Sequence, residues 1–160
     1  MPSKTQLIEK IIEGLKQELA TIERSARAAI EAATHEESKA EDHHDTRGLE
    51  ASYLAGAQAA RMAELQSIIL MYKFFPVRDF KPTDPIGAGA LIELDLDGKR
   101  SHCFLVANGG GLTVKLEGRT IQVITVKAPL GDALIGKRAG EMAEVESQKV
   151  IREYEVISVS

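Results

Sequence analysis

The sequence predicts an α+β protein: an N-terminal antiparallel α-helical coiled-coil hairpin followed by a small antiparallel β domain with one short helix. Three observations carry this reading. They are two heptad seams in the first 75 residues, three prolines (Pro76, Pro82, Pro85) within ten residues, and period-two alternation beyond Leu91. The divisions that follow are 1–75 for the hairpin, 76–85 for a linker and 86–160 for the β domain.

The first seam is Ile8, Ile12, Leu15, Leu19, Ile22, Ala26, Ala29 and Ala33, with steps alternating four and three, the spacing of a coiled-coil stripe. Ser3 suits the N-cap, and Gly14 is the one poor helix former in the stretch. The second seam is Ala51, Ala55, Gln58, Met62, Leu65, Ile69 and Tyr72, with Gln58 its weak point. Both seams are alanine-rich over residues 26–55 and large towards their outer ends. Folding one helix back on the other pairs small with small and large with large, which favours a hairpin over two independent helices. At 1.5 Å per residue, a rod of roughly 30 residues is about 45 Å long.

Pro76 stops the second helix. The strands expected beyond it are Leu91–Leu96, Ser101–Val106, Leu112–Leu116, Ile121–Val126, Met142–Ser147 and Arg152–Val159, with Asp97-Gly98 and Glu117-Gly118 as hairpin turns. Pro129 suits the first position of a short helix and Gly136 its C-terminal cap. Phe74, Phe75 and Phe80 are expected to pack where the two domains join.

Composition narrows the function. The chain has 20 basic and 24 acidic residues, a formal charge of −4, which argues against coating nucleic acid through a general basic surface. Residues 31–50 hold seven carboxylates (Glu31, Glu36, Glu37, Glu41, Asp42, Asp45, Glu50), and the densest part falls at the turn between the helices. One cysteine, Cys103, excludes an internal disulfide and fits a reducing compartment; its place in a strand is that of a buried small hydrophobe. No signal-peptide core opens the chain and no apolar run reaches membrane-spanning length, so a cytoplasmic protein without a membrane partner is expected.

Few constellations carry chemistry. Asn108-Gly109-Gly110-Gly111 lies between strands, lacks the helix N-terminus of a phosphate cradle, and reads as a flexible hairpin loop. His35, His43 and His44 suggest zinc, but adjacent helical histidines point about 100° apart, and no cysteine lies near. No Ser/His/Asp or Cys/His nucleophile set is present, and no small-molecule substrate is indicated. The carboxylates Glu41, Asp42 and Asp45 are hard donors suited to Mg²⁺, and such a tip would complete a site supplied by another molecule rather than enclose one itself.

Ala128-Pro129-Leu130-Gly131-Asp132-Ala133-Leu134-Ile135-Gly136-Lys137, followed by the strand Tyr154–Val159, resembles the Ser-Pro and Leu-Ile-Gly-Lys signature of the Gre family of bacterial transcript-cleavage factors. The order of helical hairpin, linker and β domain is similar too, so the resemblance covers nearly the whole chain. It implies an FKBP-like C-terminal domain and a non-enzymatic accessory factor whose partner is RNA polymerase, with nascent RNA met indirectly. It implies that the hairpin enters the polymerase's secondary channel, where tip acids help hold an Mg²⁺ shared with the polymerase, with no intrinsic cofactor. It also assigns a partner-binding role to Leu134, Ile135, Gly136 and Lys137. The family's tip carries two acids separated by two residues. Counting back from the second seam puts that pair on Glu41 and His44, and a shift of one puts it on Asp42 and Asp45. The family's Asn-Ala-Glu-Tyr continuation is replaced by Asp45-Thr46-Arg47-Gly48. Some Gre-like relatives inhibit instead of stimulating, and a prolyl isomerase reading of the FKBP-like domain meets too few aromatics: Phe80, Phe104 and Tyr154 without tryptophan. A coiled-coil binding module unrelated to transcription is the other alternative.

Overall fold

The computed structural model describes residues 1–37 and 47–160, with side chains described for 1–34 and 52–160. Helix α1 is Lys4–Glu37 and helix α2 is Arg47–Lys73. The chain divides into two compact units, one of Met1–Ile11 with Phe75–Ser160 and one of Ile12–Phe74.

Within the helical unit, the Arg61 guanidinium donates to Glu18 at 2.7 Å, and the Gln58 amide donates to Ser25 at 3.3 Å. A later partner on α1 thus meets an earlier one on α2, the signature of an antiparallel pair. Leu15, Leu65, Ile69 and Tyr72 are buried, while Ala26, Ala29 and Ala33 are half-buried. Methyl groups on two helices cannot cover one another as leucines do, so the seam fades where alanine replaces leucine and isoleucine. Ala55 departs from the seam and is exposed. Gln58, the weak point of the second seam, is half-buried, and its Oε1 is buried without a hydrogen-bond partner. Surface ion pairs such as Arg61 with Glu18 and Glu64 add about 0–1 kcal/mol each. The apolar seam therefore holds this pair together.

The other unit carries strands β1 (Leu91–Leu96), β2 (Lys99–Val106), β3 (Leu112–Leu116), β4 (Arg119–Thr125), β5 (Met142–Ser147) and β6 (Val150–Val159), with the short helix α3 (Pro129–Leu134) between β4 and β5. The sheet order is β3-β4-β2-β1-β6-β5. The expected turns are there: Asp97 and Glu117 take positive φ ahead of Gly98 and Gly118. A third turn, Gln148-Lys149, also has both residues at positive φ, although neither is the glycine that would have announced it.

One expectation is corrected. The sheet is mixed, because β2 and β4 run parallel, with Phe104 beside Val123, while the other neighbours are antiparallel. The Asn108–Gly111 segment is accordingly not a hairpin between adjacent strands. It carries the chain past the end of β4 so that β3 can take the sheet edge. Gly111 N donates to Val123 O at 2.8 Å, and a Cβ on Gly110 would lie 2.9 Å from the Thr125 nitrogen. Glycine is required there by close backbone approach rather than by looseness.

Both faces of the sheet bury apolar side chains. On one, Ile92, Leu94, Cys103, Leu105, Val156 and Val159 pack with Leu134 of α3, Phe80 and Ile86. On the other, Leu91, Phe104, Val106, Ile121 and Val123 are buried, and the Phe75 ring tilts onto Phe104 at 5.6 Å. Cys103 is as inert as its strand position suggested, its thiol pushed up to about 12 by burial.

Candidate functional site

The acidic residues Glu41, Asp42 and Asp45 lie outside the described residues, in the nine positions that join Glu37 of α1 to Arg47 of α2. The structure does describe the two helices that carry that junction: 34 and 27 residues, close to the lengths the seams required. Among the described residues no group of three or more His, Cys, Asp or Glu side chains could hold a metal ion. The Mg²⁺ expectation therefore rests on the hard-oxygen donor chemistry of the tip alone.

The four motif residues are described, and they divide by role. Leu134 is fully buried in the core beneath the sheet. Gly136 adopts φ +79° just past the end of α3 and donates to Ile86 O at 2.9 Å, while Lys137 O accepts from Ile86 N at 2.8 Å. Arg138 extends this latch, its Nε donating to Thr83 O at 3.1 Å. The motif thus closes the helix and fastens residues 83–86 to it. Only Ile135, 44% exposed, and the partly exposed Lys137 present side chains outward. Ala128 occupies the N-cap of α3 and makes no side-chain cap bond, as its substitution for the signature serine requires.

Phe74, Phe75 and Phe80 separate as well. Phe75 packs on Phe104 and Phe80 joins the core, but Phe74 is 80% exposed, so the packing role expected for it is corrected. Near Phe80 lies a residue that sequence reasoning missed. Lys4 is only 8% exposed; its Nζ donates to Arg78 O and sits 4.7 Å from the Phe80 ring centroid. The Arg78 guanidinium lies at the same distance from that ring. A lysine in a first helical turn gives no sequence signal of burial. Its cover comes from a segment more than 70 residues away.

Burial lowers the Lys4 pKa to about 8; Asp79 acts against that shift and Arg78 with it. Between about pH 8 and 10.5 the unfolded chain keeps a proton that folded Lys4 has released, so raising the pH favours the folded state through this group. Burial of Tyr72 and Cys103 raises both to about 12 and works in the opposite sense at alkaline pH, so a matched variant isolates Lys4. Thermal unfolding of wild type and Lys4→Met is expected to converge or cross in favour of wild type as pH rises from 7.5 to 10.5. A difference independent of pH would exclude a buried, proton-losing Lys4.

Comparison with known proteins follows from this arrangement. Residues 82–160, spanning the latch, α3 and all six strands, match the family model described as transcription elongation factor, GreA/GreB, C-terminal domain. The C-terminal domain, residues 82–160, belongs to the GreA/GreB family. A curated GreA/GreB relative, transcription elongation factor GreA of Methylococcus capsulatus, is 27% identical over 163 residues, covering 98% of this chain and 98% of that protein. Among solved structures, GreA factor homolog 1 of Thermus thermophilus is 25% identical, with 93% of this chain and 94% of that one covered, at a TM-score of 0.37. Its Thermus aquaticus counterpart is 22% identical over 92% of each chain, at a TM-score of 0.38. At such scores the superpositions add nothing to the fold, which stands on its own strand order. No helix among the described residues is long and apolar enough to cross a membrane.

Proposed function

We propose that this chain is a transcription elongation factor that binds RNA polymerase, inserts its hairpin tip into the secondary channel and stimulates cleavage of backtracked RNA by the polymerase's own active site. The observation that carries this reading is a GreA/GreB C-terminal domain at 82–160 joined to two long antiparallel helices whose connection, residues 38–46, holds three carboxylates, Glu41, Asp42 and Asp45, against a single lysine, Lys39.

 Two acids three positions apart, Asp42 and Asp45, match the spacing that the resemblance leads one to expect, and Glu41 is the close competitor. As carboxylates of a partner protein they would hold an Mg²⁺ shared with the polymerase, which when bound supplies charge stabilisation and an activated water for phosphodiester attack. On this reading the protein has no turnover of its own, and the β domain anchors it to polymerase through the outward side chains Ile135 and Lys137.

The test is RNA cleavage in stalled elongation complexes. Wild-type protein is expected to accelerate cleavage, and Asp42→Ala combined with Asp45→Ala to abolish the acceleration while polymerase binding stays within about twofold. Binding without any acceleration by wild type would sink the stimulatory reading and leave channel-blocking inhibition. That second reading is favoured by one feature, His43-His44 beside the acids, followed by Asp45-Thr46-Arg47-Gly48 in place of the family's continuation. Absence of polymerase binding would sink both.

A further inference from the structure

The β5–β6 hairpin has one face that the fold leaves uncovered. Side chains alternate across a strand, so Ala143 of β5 and Val156 of β6 turn into the core. Three cross-strand pairs occupy the other face of the hairpin: Met142 with Glu155, Glu144 with Glu153, and Glu146 with Ile151. Met142 is 44% and Ile151 63% exposed, and all four glutamates are exposed. Beyond Glu155 the next strand places Asp95 beside it, already paired with Arg100 at 3.0 Å. Among the described residues none of the four glutamates is in an ion pair.

Stability gives no reason for this face. Like charges directly opposite each other oppose the pairing they sit on. Charge on an edge strand guards it against self-association, which accounts for Glu144 and Glu146 on β5. It does not account for Glu153 and Glu155, because β6 lies inside the sheet between β1 and β5. Nor does it account for apolar side chains left in water at two diagonal corners.

We propose that this face docks a basic amphipathic helix of a protein partner, with lysine or arginine against the glutamates and apolar side chains against Met142 and Ile151. Four residues along a strand and one strand spacing separate those corners by about 14 Å. A helix offers apolar side chains at that separation two to three turns apart, with room for basic residues between them. Charge selects the occupant: nucleic acid and anionic lipid are repelled, and a second copy would set glutamate against glutamate.

The full-length chain, labelled with ¹⁵N, is titrated with a 20-residue amphipathic lysine/leucine helical peptide, and in separate arms with a lysine/serine peptide, a single-stranded RNA oligonucleotide and Mg²⁺ alone. The lysine/leucine peptide is expected to shift the amide resonances of 142–147 and 150–155 and to bind at least tenfold more tightly than the lysine/serine peptide. Glu144→Lys with Glu153→Lys is expected to weaken binding at least tenfold, and Asp42→Asn with Asp45→Asn to leave it unchanged. Should the charge reversal lower the melting temperature, Glu144→Gln with Glu153→Gln takes its place, with a loss of at least threefold expected. Shifts confined to residues 38–46, equal binding by the glutamate variants, or the same shifts from RNA or Mg²⁺ alone would each overturn the proposal. So would sedimentation as a dimer that the glutamate variants dissociate.

Discussion

Gly131→Ala is expected to destabilise the β-bearing unit by about 3 kcal/mol or more, lowering its melting temperature by of order 10–20 °C. Two effects compete at this position. Glycine inside a helix ordinarily costs about 1 kcal/mol relative to alanine, so propensity alone predicts a gain. Here α3 lies so close to the end of β4 that an added Cβ would fall 2.0 Å from the Thr125 carbonyl oxygen and 3.2 Å from Leu105 Cδ1. That oxygen cannot swing away freely, since it accepts from Ala128 N at 3.1 Å, the bond that sets up the start of the helix. The backbone must move, and the clash wins. Gly14→Ala is the control: Gly14 lies within α1 with nothing within 4 Å of an added Cβ. That change is expected to stabilise by about 0.5–1 kcal/mol. Thermal unfolding followed by circular dichroism reads both, and a neutral Gly131→Ala would refute the close packing of α3 on β4.

The second large effect separates two neighbours in one motif. Leu134→Ala is expected to cost about 2–5 kcal/mol, because it empties a fully buried site among Ile86, Leu105 and their neighbours in the core. Ile135→Ala, at a side chain 44% exposed, is expected to cost less than about 1 kcal/mol. Denaturant unfolding measures both. If Ile135→Ala proves as damaging as Leu134→Ala, the motif is structural throughout; if it keeps its stability and loses polymerase affinity, the outward side chain belongs to the partner surface. Sequence resemblance attached one role to all four residues, and burial is what divides them.

The helical seam was legible because its signal is local. Spacing of four and three fixes which side chains share a stripe, and Leu15, Leu65, Ile69 and Tyr72 are buried as that spacing demands. It missed Leu7 and Ile11, which are buried outside the stripe in a part of α1 that belongs to the other unit. A periodic pattern identifies one partner for a helix and says nothing of a second. The strands were legible by alternation, and the turns at Asp97-Gly98 and Glu117-Gly118 by their glycines, but the Gln148-Lys149 turn carries no such mark. The order of the strands was not legible, because alternation is the same for a strand in a parallel or an antiparallel pair. The Asn108–Gly111 run looked like an ordinary hairpin loop until β4 was found lying between β2 and β3.

The candidate site divides in the same way. Acid spacing, the hard-donor chemistry of Glu41, Asp42 and Asp45, and the signature at 128–137 are properties of the chain read in order. The sequence by itself determined the two helices, the position of the acids between them and the family of the C-terminal domain, because each depends on residues a few positions apart. Only the tertiary structure decided that Leu134 is core while Ile135 is surface, that Gly110 and Gly131 are required by backbone contacts, and that Lys4 is buried against Phe80. It alone set Glu144 opposite Glu153. Each of these depends on which distant segment covers a residue, and no local pattern encodes that.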